Sequence, residues 1–193
     1  MNFITDHEFE EDLRPDSENR GFTTECRNLL IQLWIREGIL DPRQFKHHAD
    51  RGILNRDGFG HMVGLQNDAH EFLEFILDAL HTSLQYEPKI SISVGADDDR
   101  LSETDRMAIE AYTRWKGDFR GGYSGIVDLF YGQFLSEVRK GDEISRCFDP
   151  FQVLSLQLPQ PVATEQVVTE PAPPEKEISI MDCLDAFMST EKI

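Results

Sequence analysis

Apolar positions along this chain recur first at helical and then at extended spacing, and the switch divides it into elements. Residues 1–22 carry no sustained apolar period; they are polar and acidic, hold Pro15, and are expected to form a flexible leader. Over residues 23–35, Leu29, Leu30, Leu33 and Trp34 recur at helical spacing, with Gly38 as a stop. Asp41-Pro42 reads as an N-cap with proline at the first helical position of a short helix carrying Phe45. Gly52, Gly58, Gly60 and Gly64 mark residues 51–64 as loop. The strongest helical signal covers 68–85. Phe72, Phe75, Ile76, Ala79 and Leu80 share one face there, widened by Leu73, Leu77 and Leu84, so this helix is expected to be buried on most sides.

Residues 86–100, with Pro88, Gly95 and three consecutive aspartates, read as a further loop. Ser102 with Asp105 resembles a capping box that opens a helix through Met107, Ile109, Ala111, Tyr112 and Trp115. After Gly121-Gly122 the pattern becomes extended. Residues 126–138 and 144–158, with Lys140-Gly141-Asp142 between them, predict a long β-hairpin. Residues 160–178 are rich in Pro, Glu, Thr and Val and are expected to be disordered. Ser179 then starts a last amphipathic helix through Met181, Leu184, Phe187 and Met188. Helices followed by a hairpin make the expected class α+β. No internal repeat is present.

Composition narrows the function. The 193 residues suit one domain, and 39 % apolar residues with 13 Phe suffice for a core. Neither a run of ~20 apolar residues nor a signal peptide is visible, so no membrane partner is expected. A net charge of −17 argues against nucleic acid, because phosphate binding needs basic patches. The acidity serves solubility or attracts a basic surface. Cys26, Cys147 and Cys183 are widely spaced and odd in number, which points to a reducing, cytoplasmic or nuclear, location. His47-His48, His61 and His70 lack metal-ligand spacing, and no metal or cofactor is expected.

Four ordered stretches resemble the ubiquitin-specific protease family of cysteine deubiquitinases. The first is Gln66-Asn67-Asp68-Ala69-His70-Glu71-Phe72-Leu73, leading into Ile76-Leu77-Asp78-Ala79-Leu80. The second is Ser124-Gly125-Ile126-Val127-Asp128-Leu129-Phe130-Tyr131-Gly132-Gln133, followed by Ser136. The third is Phe148-Asp149-Pro150-Phe151, then Leu154-Ser155-Leu156 and Leu158-Pro159. The last is Ile180-Met181-Asp182-Cys183-Leu184-Asp185-Ala186-Phe187. Together they cover about residues 23–193.

The resemblance implies a partial papain-like fold. Residues 23–118 would form the helical thumb, 119–159 the start of the β fingers and palm, and 179–193 the start of the next helix. It also implies hydrolysis of the isopeptide bond at ubiquitin's C-terminus, with ubiquitin or ubiquitinated proteins as partners. The family's cysteine box would lie upstream of the first matched stretch and its histidine box downstream of the last. This chain alone is therefore expected to be inactive, with a complementary chain or segment supplying both boxes. The alternative is a non-catalytic ubiquitin-binding or scaffold module. None of the three cysteines has the family's nucleophile context, and Glu25 beside Cys26 would raise its pKa. Val138-Arg139-Lys140-Gly141-Asp142-Glu143 stands where many members carry a zinc knuckle, so a tight turn is expected instead.

What the resemblance leaves in place is the binding of ubiquitin's arginine-rich C-terminal tail by Gln66, Asp68, Glu71 and Asp149. Asp68 and Glu71 are three apart, on one side of a helix's first turn. They would either accept charge-assisted hydrogen bonds from the tail, or cap the helix with Glu71 completing the box. Asn67 replaces the box's second glutamine.

Overall fold

The computed structural model describes residues 9–35, 38–55, 63–66, 68–89, 91, 101–158 and 178–189. Two units divide the chain, the first ending at Gln152 and the second starting at Val153. The first unit is α+β, as its sequence pattern predicts. Its helices are α1 (Phe9–Asp12), α2 (Arg20–Ile35), α3 (Arg43–Leu54), α4 (Ala69–Leu84), α5 (Glu103–Asp118) and α6 (Gly125–Phe130). Strands β1 (Gly132–Lys140) and β2 (Glu143–Phe151) pair antiparallel. The described part of the second unit contains α7 (Ile180–Phe187), opened by a capping box between Ser179 and Asp182. None of the described helices is long and apolar enough to cross a membrane.

The core lies where α2, α3 and α4 meet. Phe22 of α2 sits between Phe45 of α3 and Phe75 of α4, with ring centroids 5.4 and 5.2 Å away. Phe75, Leu77, Ala79, Leu80 and Leu84 of α4 are buried beside Cys26, Ala49, Ile53 and Ile126. Leu73, by contrast, is 45 % exposed, so the apolar stripe is narrower than its sequence suggests at the start of α4. Gly21 allows α2 and α3 to meet closely: a Cβ there would lie 2.6 Å from His48 Nδ1.

The leader departs from its expected flexibility. Phe9 in α1 and Leu13, just past its end, are both buried in the core. The Arg27 guanidinium lies over the Phe9 ring at 5.3 Å and pairs with Glu10 at 3.2 Å. Three consecutive acidic residues, Glu10, Glu11 and Asp12, hide these two anchors in any averaged reading of the sequence. Residues 1–8 lie outside the described residues.

Helix α3 runs to Leu54, four residues into the expected loop, because Ile53 joins the core. Residues 56–62 of the 51–64 loop, 90 and 92–100 of the next, and all of 160–177 fall outside the described residues. The Ser102–Asp105 capping box is present and opens α5.

The hairpin is shorter than expected at both ends. Ser124 caps a helix by accepting the Ile126 N–H, so residues 125–130 are helical rather than extended. Beyond Phe151, residues 152–158 form no strand. Register runs from Gly132 opposite Phe151 to Lys140 opposite Glu143. The two-residue loop places Gly141 at φ 62°, the first central position, where a type II′ turn demands glycine. One face of the hairpin meets α5: Arg146 reaches Glu103 at 2.7 Å, and Gln133 Nε2 donates to the Ala111 carbonyl at 3.1 Å. On the other face Phe134 stacks on Phe151 at 4.1 Å.

Candidate functional site

The first turn of α4 projects two carboxylates from a well-anchored helix. Asp68 is the N-cap, in extended backbone, and its Oδ1 accepts the His70 N–H at 2.8 Å. Glu71 follows one turn on and is exposed, without a partner among the described residues. It does not close a capping box, unlike the acidic residues of α5 and α7. Half of the capping alternative therefore holds: Asp68 caps, and Glu71 is left for other chemistry. The N-terminal end of a helix also favours negative charge and any anion-rich arrangement placed there.

Asp68 lines a groove of about 510 Å3 between α3 and the start of α4. Phe45, Ala49, Ile53, Leu65 and Phe72 give it apolar walls. Lys46 and Asp50, also in the lining, form an ion pair one helical turn apart on α3. A groove with apolar walls and a carboxylate at its edge can take an extended segment that alternates apolar and cationic side chains.

Gln66, Asp68 and Glu71 thus come together, as exposed positions within six residues at one helix end. Asn67 lies outside the described residues. Asp149 is elsewhere, half-buried on β2 opposite Phe134, and no hydrogen bond or ion pair joins it to the other three among the described residues. Its Oδ1 accepts from the Cys147 thiol at 3.2 Å. The groove walls on α3 were not anticipated, although Phe45, Ala49 and Ile53 recur four apart and signal a buried face.

No cysteine here is set up as a nucleophile. Cys26 is buried in α2, and burial pushes its thiol up to about 11, whereas Glu25 was the expected cause. Cys147 is exposed, but the Asp149 carboxylate beside it raises its pKa. Cys183 is buried. Among the described residues, no group of three or more His, Cys, Asp or Glu side chains is arranged to hold a metal.

The pattern of the family described as ubiquitin carboxyl-terminal hydrolase matches residues 2–160, a span that includes all four candidate contacts. An Arabidopsis thaliana protein named as ubiquitin carboxyl-terminal hydrolase 11 is 35 % identical over 73 % of this chain and 15 % of its own length. Ubiquitin carboxyl-terminal hydrolase 5 of Saccharomyces cerevisiae is 26 % identical over 91 % of this chain and 21 % of its own length. Ubiquitin carboxyl-terminal hydrolase 15 of Xenopus tropicalis is 33 % identical over 68 % and 13 % respectively. The chain spans no more than about a fifth of the length of these relatives. It belongs to the ubiquitin carboxyl-terminal hydrolase family.

Proposed function

We propose that this chain is part of the catalytic domain of a ubiquitin-specific protease, and that its own contribution is to hold the C-terminal tail of ubiquitin. The carrying observation is the pair Asp68 and Glu71, exposed on one side of the first turn of α4 beside the apolar groove. Arginines of the tail would meet Glu71 and the outer oxygen of Asp68, which has no partner among the described residues. Gln66 would add a neutral hydrogen bond. Asp149 would contact ubiquitin from the hairpin, independently of the other three. In this reading residues 23–118 are the thumb and the hairpin is the base of the fingers.

Isopeptide hydrolysis needs a thiolate beside a base, and the environments of Cys26 and Cys147 favour the neutral thiol. The chain by itself is therefore inactive and relies on a complementary segment for the nucleophile and the histidine. We place it in the cytoplasm or nucleus, a reading supported by three free thiols. The direct test compares intact ubiquitin with ubiquitin lacking its C-terminal tail. Binding to the intact form alone supports the tail clamp, and equal binding of both rejects it. A thiol-reactive ubiquitin probe should leave the chain unmodified; a covalent adduct would reject the claim of inactivity.

A further inference from the structure

The last turn of α4 and the start of α6, 43 residues apart in sequence, are joined by one side-chain pair. His81 Nδ1 lies 2.9 Å from Ser124 Oγ. The same oxygen accepts the Ile126 N–H at 3.2 Å as the N-cap of α6. Ser124 and Ile126 are both 0 % exposed, so water cannot stand in for either partner. Next to them, the backbones of Tyr86 and Tyr123 exchange hydrogen bonds of 2.8 and 2.9 Å. The Tyr123 hydroxyl donates to Asp128 in the first turn of α6.

A hydroxyl carries one proton. Ser124 is buried, so that proton needs an acceptor, and His81 Nδ1 lies within reach of it. The pairing we infer has Ser124 donating to a neutral His81 whose hydrogen is on Nε2. Protonation would add a hydrogen at Nδ1. Two donors would then converge on Ser124 Oγ, and the serine proton would lose its partner inside a buried site.

We infer that the His81–Ser124 pair is an acid-sensitive latch holding the cap of α6, and with it the root of the hairpin, to the last turn of α4. The surroundings favour the neutral state of the latch. Burial lowers the pKa of His81 from 6.5, and no ion pair to the imidazole occurs among the described residues. Tyr131 faces it from the α6–β1 connection at 6.5 Å, its own pKa raised by burial, and so stays uncharged over the same range. Asp78 lies one turn earlier on α4, and Asp128 of α6 is taken by Tyr123. The folded pKa lies below the unfolded one. The contribution is therefore complete above pH 6.5 and is lost as pH falls through the lowered folded value.

The experiment follows amide-exchange protection at Ile126 and Val127 by NMR in the 193-residue chain, from about pH 7.5 to about pH 5.5. Protection at Ile126 should fall about fivefold more than at Phe75 in mid-α4, the size expected of a lost cap. His81→Asn, which keeps an acceptor near Nδ1 and cannot titrate, should flatten the profile. Ser124→Ala should lower protection at both pH values and remove the dependence. Flat wild-type protection while the His81 ring titrates would overturn the latch, as would a slope that survives His81→Asn. The ring nitrogen shifts of the unaltered protein give a separate reading: an Nδ1–H tautomer at neutral pH would contradict the pairing without any substitution.

Discussion

The two ends of α4 belong to one helix and meet opposite surroundings. At its start Asp68, His70 and Glu71 are exposed, and the only intrahelical duty among the two carboxylates is the Asp68 cap. At its end Ala79, Leu80, Ser83 and Leu84 are buried. There a seam of hydroxyls replaces the free carboxylates. Ser83 Oγ is 2.9 Å from Thr23 Oγ1 and 3.0 Å from Ser17 Oγ, while the Ser83 carbonyl accepts the Arg14 N–H at 2.9 Å. The seam carries no net charge, so it can be buried without the desolvation penalty of ions. A helix fixed at one end by packing and neutral hydrogen bonds can hold carboxylates at its other end in a set position. Those carboxylates need not stabilise the fold to stay there.

If that division is right, substitutions along α4 should fall into a graded series. Phe75→Ala empties the centre of the three-helix core and should destabilise the protein by about 3–5 kcal/mol in a denaturant titration. Ser83→Ala comes next. It leaves the buried Thr23 hydroxyl with only the long contact to the Ala79 carbonyl and should cost about 1–3 kcal/mol. Asp68→Ala removes one exposed cap and should cost about 1 kcal/mol. Glu71→Ala should leave the unfolding midpoint within experimental scatter, since Glu71 is exposed and forms no hydrogen bond or ion pair with the described residues. A large loss of stability from Glu71→Ala would mean the two ends are not separate in role.

Sequence patterning revealed the elements whose signals are local. The Ser102–Asp105 cap, the helix start at Ser179, the Gly141 turn and the apolar face of α4 each lie within a window of a few residues. Burial of the leader did not show, because Phe9 and Leu13 are only two anchors inside an acidic stretch and gain their meaning from α2 and α4. Residues 126–130 are β-branched and apolar enough to read as strand, yet one buried serine cap commits them to helix. The candidate contacts divide the same way. Asp68 and Glu71 were legible as neighbours on a helical turn, whereas the groove beside them depends on how α3 crosses α4. The His81–Ser124 pair had no sequence signal, since nothing local links residues 43 apart.

The central claim is that the open end of α4 binds ubiquitin's tail. Its most direct measurement is the affinity of ubiquitin for the chain against its affinity for the Asp68→Ala, Glu71→Ala double variant, under conditions where both remain folded. Loss of charge-assisted hydrogen bonds to arginine should weaken binding about tenfold or more, while Ser83→Ala, at the buried end, should leave the affinity of the folded fraction unchanged. An affinity unaltered in the double variant would contradict the account.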